Sequence, residues 1–181
     1  MCRSIAFLRA LNVGGRNVRM DVLRSIFEDL GFREVSTFIA SGNVIFAAAP
    51  GGAEAQEAIL ARGLEAALGF PVETFLRSAA EVARIARHRA FSESELAEAK
   101  ALNIGFLKAP LDQGQRQALD GLATDFDDFH LHGREVYWRS KTKQSESKIS
   151  NALFERKVGV RTTFRTSRTL ERLAAKFSPA S

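Results

Sequence analysis

The strongest constraint on this chain is that it repeats itself. Residues 72–86, VETFLRSAAEVARIA, lie against residues 160–174, VRTTFRTSRTLERLA, at an offset of 88, matching Val72 with Val160, Thr74 with Thr162, Arg77 with Arg165, Arg84 with Arg172 and Ala86 with Ala174. Self-similarity at a fixed spacing points to one folding unit used twice. The elements of the two halves should then follow the same order.

They do. In the first half Ser4 to Ala10 reads as a strand, and Val22, Ile26, Phe27 and Leu30 at helical spacing follow it and stop at Gly31. Glu34 to Ile39 and Asn43 to Ala47 are β-branched and aromatic runs joined by the short loop Ala40-Ser41-Gly42. Glu54 to Leu68 is alanine-rich with Ile59, Leu60, Leu64 and Leu68 on one side, Gly69 ends it, and Val72 to Arg77 is strand-like. Ser78 and Glu81 then have the spacing of a capping box ahead of a further helix. The second half repeats the order, with strand Leu102 to Lys108, helix Gln113 to Ala123, a hairpin of Phe129 to His132 and Glu135 to Arg139, helix Ser147 to Val158, strand Val160 to Arg165 and helix Ser167 to Phe177. The expectation is an α+β fold of two tandem ferredoxin-like βαββαβ halves, each with a four-stranded antiparallel sheet and a trailing helix. The halves are expected at 1–89 and 102–181, with the polar segment 90–101 as linker. Strands such as IAFLRA and IGFL are apolar on both faces, as expected if the two open sheet faces pack together within the chain or through a homodimer.

Composition narrows the function classes. At 45 % hydrophobic residues the chain can build ordinary cores, and its apolar runs are too short for a membrane span or a leader. Cys2 is the only cysteine, so no internal disulfide forms, which fits a reducing, cytoplasmic setting. The net charge of +5 is unevenly placed. From Arg139 onward eleven basic residues face three acidic ones, which either marks a polyanion-binding face or reflects solvated helix surfaces.

Topology brings loops together. In a βαββαβ sheet of order 4-1-3-2, the loop Asn12-Val13-Gly14-Gly15-Arg16-Asn17, the turn Ser41-Gly42-Asn43 and the turn Leu68-Gly69-Phe70-Pro71 share one end of the first sheet. Glycine lets backbone amides approach an anion, and a helix start with Arg9, Arg16 or Arg19 nearby adds positive charge. A phosphate-bearing or carboxylate ligand is therefore the leading expectation, with Arg9, Asn12, Gly14, Gly15, Arg16, Ser41, Gly42 and Asn43 as candidates. The plainer reading is that the glycines serve tight turns. Nucleic-acid binding by the basic C-terminal segment is the alternative, with Lys141, Lys143, Ser147, Lys148, Asn151 and Arg165 as its patch.

Other motifs carry less. His130 and His132 share a strand face, but no third ligand stands at metal-site spacing. Ser145-Glu146-Ser147-Lys148 satisfies S-x-x-K without its companion motifs. Phe7 and Phe46 fall on the strands that stack bases in an RNA-recognition motif, yet the RNP1 pattern is missing, so they read as core. No nucleophile, acid–base pair, metal set or cofactor motif is identifiable, so an enzyme of any particular reaction cannot be named.

Several linked motifs resemble a bacterial family, the domain of unknown function numbered sixteen ninety-seven. They are FLRALNVGGRN from Phe7, TFIASGNVIF from Thr37, SKISNALFERKVG from Ser147 and TTFRTSRT from Thr162. The resemblance implies two ferredoxin-like halves and brings no established activity. It singles out Arg9, Asn12, Gly14, Gly15, Ser41, Gly42, Asn43, Ser147, Lys148, Asn151 and Arg165. The chain departs from the family pattern at Ala10, Ala40 and Thr166-Ser167-Arg168, where glycine, glutamine and Asn-Trp-Asn are usual.

Overall fold

The computed structural model describes residues 3–39, 42–48, 51–143 and 146–177, so Cys2, Ala40, Ser41 and Ser145 lie outside the described residues. The element order is β1 (Arg3–Leu8), α1 (Met20–Asp29), β2 (Ser36–Thr37), β3 (Asn43–Ala47), α2 (Gly52–Leu68), β4 (Thr74–Ser78), α3 (Ala79–Arg87), α4 (Glu93–Glu98), β5 (Ala101–Phe106), α5 (Gln113–Asp120), β6 (Asp127–His132), β7 (Glu135–Ser140), α6 (Asn151–Val158), β8 (Thr163–Thr166) and α7 (Ser167–Phe177). The strands form two four-stranded sheets of order β2-β3-β1-β4 and β6-β7-β5-β8, antiparallel throughout. These are the two βαββαβ halves, each in the expected 4-1-3-2 order. The chain divides into two compact units, 1–84 with 172–181 and 85–171.

The repeat survives in register. Arg77 of β4 faces Ile5 of β1, and Arg165 of β8 faces Ile104 of β5. Both arginines are buried, at 1 % and 8 % exposure, and burial pushes the Arg165 guanidinium down to about 10.

Each sheet carries its two crossover helices on one face. In the first half Leu23, Ile26 and Phe27 of α1 and Leu60 and Leu64 of α2 close over Ala6, Leu8, Val44, Phe46 and Leu76. In the second, Trp138 and Val136 of β7 pack with Leu119, Phe154 and Val158. The capping box at the start of α3 is present, with Ser78 N donating to Glu81 Oε2 at 2.7 Å and Glu81 N donating to Ser78 Oγ at 3.1 Å.

Several boundaries differ from the sequence expectation for identifiable reasons. Strand β2 is two residues long because Glu34 and Ile39, its expected ends, sit at φ 54° and 51°, outside extended backbone. Ala10 at φ 53° likewise ends β1 at Leu8. Helix α6 starts at Asn151, capped by the Ser150 side chain, rather than at Ser147, whose hydroxyl bonds Asp127 and the Ile149 amide. The polar segment 90–101 carries a helix, α4, capped reciprocally by Ser92 and Glu95.

Candidate functional site

The loops expected to gather at one end of the first sheet do meet there. Leu8 N donates to Gly42 O at 2.9 Å, and the Arg16 guanidinium lies 4.1 Å above the Phe70 ring. Asn12, Gly42 and Asn43 among the candidates there have folding jobs. Asn12 Oδ1 accepts from Val18 N at 2.7 Å, which closes the loop onto the approach to α1. Asn43 is fully buried and its Nδ2 donates to Phe38 O at 3.0 Å, across the turn whose Gly42 sits at φ 72° against Leu8. Gly14 and Gly15, at φ 62° and 83°, have open space where a Cβ would point, and Arg19, at the start of α1, makes no side-chain cap. Arg9 is half-buried.

The residues of the basic C-terminal patch are not one surface of free cations. Lys141 pairs with Glu98 at 3.1 Å, Arg161 with Glu155 at 3.3 Å, and Arg165 is buried in the sheet. Ser147 Oγ donates to the Asp127 carboxylate at 3.2 Å, and Asn151 Nδ2 donates to Thr162 O at 3.3 Å. Lys143 and Lys148 are exposed. Phe7 and Phe46 are 0 % exposed and closed to stacking bases.

A concave feature of the second half lies elsewhere. A cleft of about 520 Å³ has Leu102 and Ile104 of β5 and Tyr137 of β7 as its floor. Its wall is the chain from Ile85 to Phe91 with Glu93 and Leu96 of α4, and Ser167 and Glu171 of α7 complete it. Two buried side chains of β7 hold that wall in place. The Tyr137 hydroxyl donates to Ile85 O at 3.0 Å in the last turn of α3, and Arg139 Nη1 donates to Glu95 O at 2.9 Å in α4. The Arg139 guanidinium also pairs with Asp128 and lies 5.5 Å from the Phe91 ring. Burial, helped by the Glu135 carboxylate, pushes the Tyr137 hydroxyl well above its usual range, so it remains a donor at neutral pH.

His88 of the cleft lining meets the chain's two other histidines. His88, just past α3, stacks on His132 with ring centres 3.9 Å apart and planes 20° apart, while His130 is 5.8 Å and Tyr137 5.1 Å away. His130 and His132 share a face of β6, as their spacing predicts, and the third ring comes from 42 residues upstream of His130. No group of His, Cys, Asp and Glu among the described residues is arranged to hold a metal ion. Among the same residues no helix is long and apolar enough to cross a membrane.

No curated protein matches the chain. Among solved structures, the conserved bacterial protein SP0830 from Streptococcus pneumoniae has the same fold, with a TM-score of 0.71 over 99 % of both chains at 21 % identity. The model of the family described as protein of unknown function, DUF1697, matches residues 1–137, across the first half and into the β6–β7 hairpin of the second. With most of its length matched and the fold shared, the chain belongs to the DUF1697 family.

Proposed function

We propose that this protein binds a small, ring-bearing molecule in the cleft of its second half. The observation that supports the reading is the cleft itself, whose volume of about 520 Å³ lies inside the range of small-molecule pockets, about 300–1,000 Å³. Its floor is largely apolar, a few polar groups converge on it, and Phe91 and His88 of the wall add aromatic surface to that of Tyr137 in the floor. Arg87 and Arg89 line the cleft together with Glu93 and Glu171, so these charged groups balance. Ala90, half-buried in the wall, offers the test. Ring-bearing fragments are expected to raise the melting temperature of the wild type, and Ala90→Trp, which fills the cleft with an indole, is expected to abolish the rise. A fragment panel that leaves the wild type unmoved, or stabilises both proteins equally, contradicts the reading.

An anionic ligand at the Gly14–Gly15 end of the first half is the second reading. It is supported by two consecutive left-handed glycines under open space beside an uncapped helix start, with Arg16 held on Phe70. Inorganic phosphate is then expected to stabilise the wild type and not Gly15→Val; equal stabilisation, or none, would remove it.

A further inference from the structure

Three histidines drawn from two separated stretches of chain meet at His88 of the cleft wall, and the chain has no others. Two of them are stacked face to face at 3.9 Å, a contact that neutral imidazoles make readily and imidazolium cations do not. Among the described residues His88 Nε2 is buried and has no hydrogen-bond partner, so a proton placed there finds no acceptor among them. The backbone beside it is the fastened end of the cleft wall, where the Tyr137 hydroxyl and the His88 amide, at 3.3 Å, both donate to Ile85 O.

We propose that His88, stacked on His132 beside His130, is the catch of a proton-operated latch that holds the end of α3 over the cleft, closed while the His88 imidazole is neutral and released when it protonates. The latch rests on the ligand-binding reading for what it regulates, not for how it works. The charges facing His88 set its direction. From β6 come His130 and His132, and from β7 come Glu135 and Tyr137, the latter kept neutral by its burial. On the wall itself Arg89 is paired with Glu93 at 3.0 Å, while Arg87 and Glu171 lie along the same cleft. Desolvation first, then His132 and His130, lower the His88 imidazole below its ordinary 6.5, and the opposing pull of Glu135 does not reverse this. A histidine lowered on folding binds protons more readily in the open state. The closed state is therefore fully favoured above about pH 6.5 and is lost as the pH falls through the lowered value.

Hydrogen exchange on the ligand-free, full-length protein tests this. After correction for intrinsic chemistry, amides of residues 85–91 are expected to exchange about tenfold faster at about pH 5.5 than at about pH 7.5, an opening made easier by about 1.4 kcal/mol. Strands β5 and β7 are expected to keep their protection. His132→Phe keeps a ring on the stack and removes the facing imidazole, and is expected to shrink the difference while the burial of His88 leaves part of it; because His132 is exposed, His132→Gln serves as the second variant. Unchanged protection of 85–91 in the wild type, loss spread over the whole chain, or the same pH response in both variants would overturn the latch. Since the exchange is run without ligand, a failed latch leaves the fragment result standing, and failed fragment binding leaves the latch readable.

Discussion

Replacing Asp127 by alanine is expected to destabilise the second half by about 3 kcal/mol, a large share of the roughly 5–15 kcal/mol typical of a native protein. Asp127 is 3 % exposed and its carboxylate is a hub. Oδ1 accepts from the Trp138 indole at 2.8 Å, both oxygens accept from Ser147 Oγ at 3.2 Å, and Oδ2 accepts from Thr124 Oγ1 at 3.3 Å. Truncation strands the indole N–H of a residue 1 % exposed, and a buried donor left alone costs more than the bond it made. Trp138 is the chain's one tryptophan, so urea unfolding followed by its fluorescence reads the loss directly. A second substitution, Trp138→Phe, removes the stranded donor and is expected to cost less in the Asp127→Ala background than in the wild type, with circular dichroism following the tryptophan-free proteins. Additive costs would show that the carboxylate and the indole are not coupled.

The second large effect belongs to the first half. Phe46→Ala is expected to cost about 4 kcal/mol, the usual range for deleting a buried phenylalanine being about 3–5. Phe46 is 0 % exposed and forms a three-ring cluster, 4.7 Å from Phe32 and 5.7 Å from Phe27. Phe32 follows α1, Phe27 lies on it, and Phe46 is on β3, so the cavity would open between helix and sheet. Urea unfolding followed by circular dichroism checks the value, and a loss below about 1 kcal/mol would mean that the site collapses around the missing ring.

The order of elements was legible because periodicity and punctuation agree. Apolar residues at helical spacing end at Gly31, Gly69 and Gly159, and Gly69 and Gly159 are left-handed C-caps. What the pattern could not show were strand ends set by left-handed non-glycine residues. Glu34 and Ile39 look like strand residues and are not.

The motif residues were legible as special, and their chemistry pointed toward ligands, yet the structure finds most of them folding the chain. Glu155, in the S-K-x-x-N-x-x-x-E stretch, accepts from Thr162 N at 2.9 Å while Asn151 donates to Thr162 O, so the stretch from Ser147 to Gly159 clamps α6 to the approach to β8. Asn12 and Asn43 close their own turns. The cleft left no such signature, because its residues are ordinary types scattered from Ile85 to Glu171. His88 gave no sign of its partners either, since the β6–β7 hairpin and the end of α3 meet only through the fold.

The proposed ligand site in the second half draws on that contrast, since residues without a motif build the cleft there. Backbone amide spectra of the labelled full-length protein, recorded with the fragments that raise its melting temperature, test the assignment most directly. Shifts are expected to gather on residues 85–91, Leu102, Ile104 and Tyr137. Shifts gathered instead on residues 12–17, or on no part of the cleft, would contradict it.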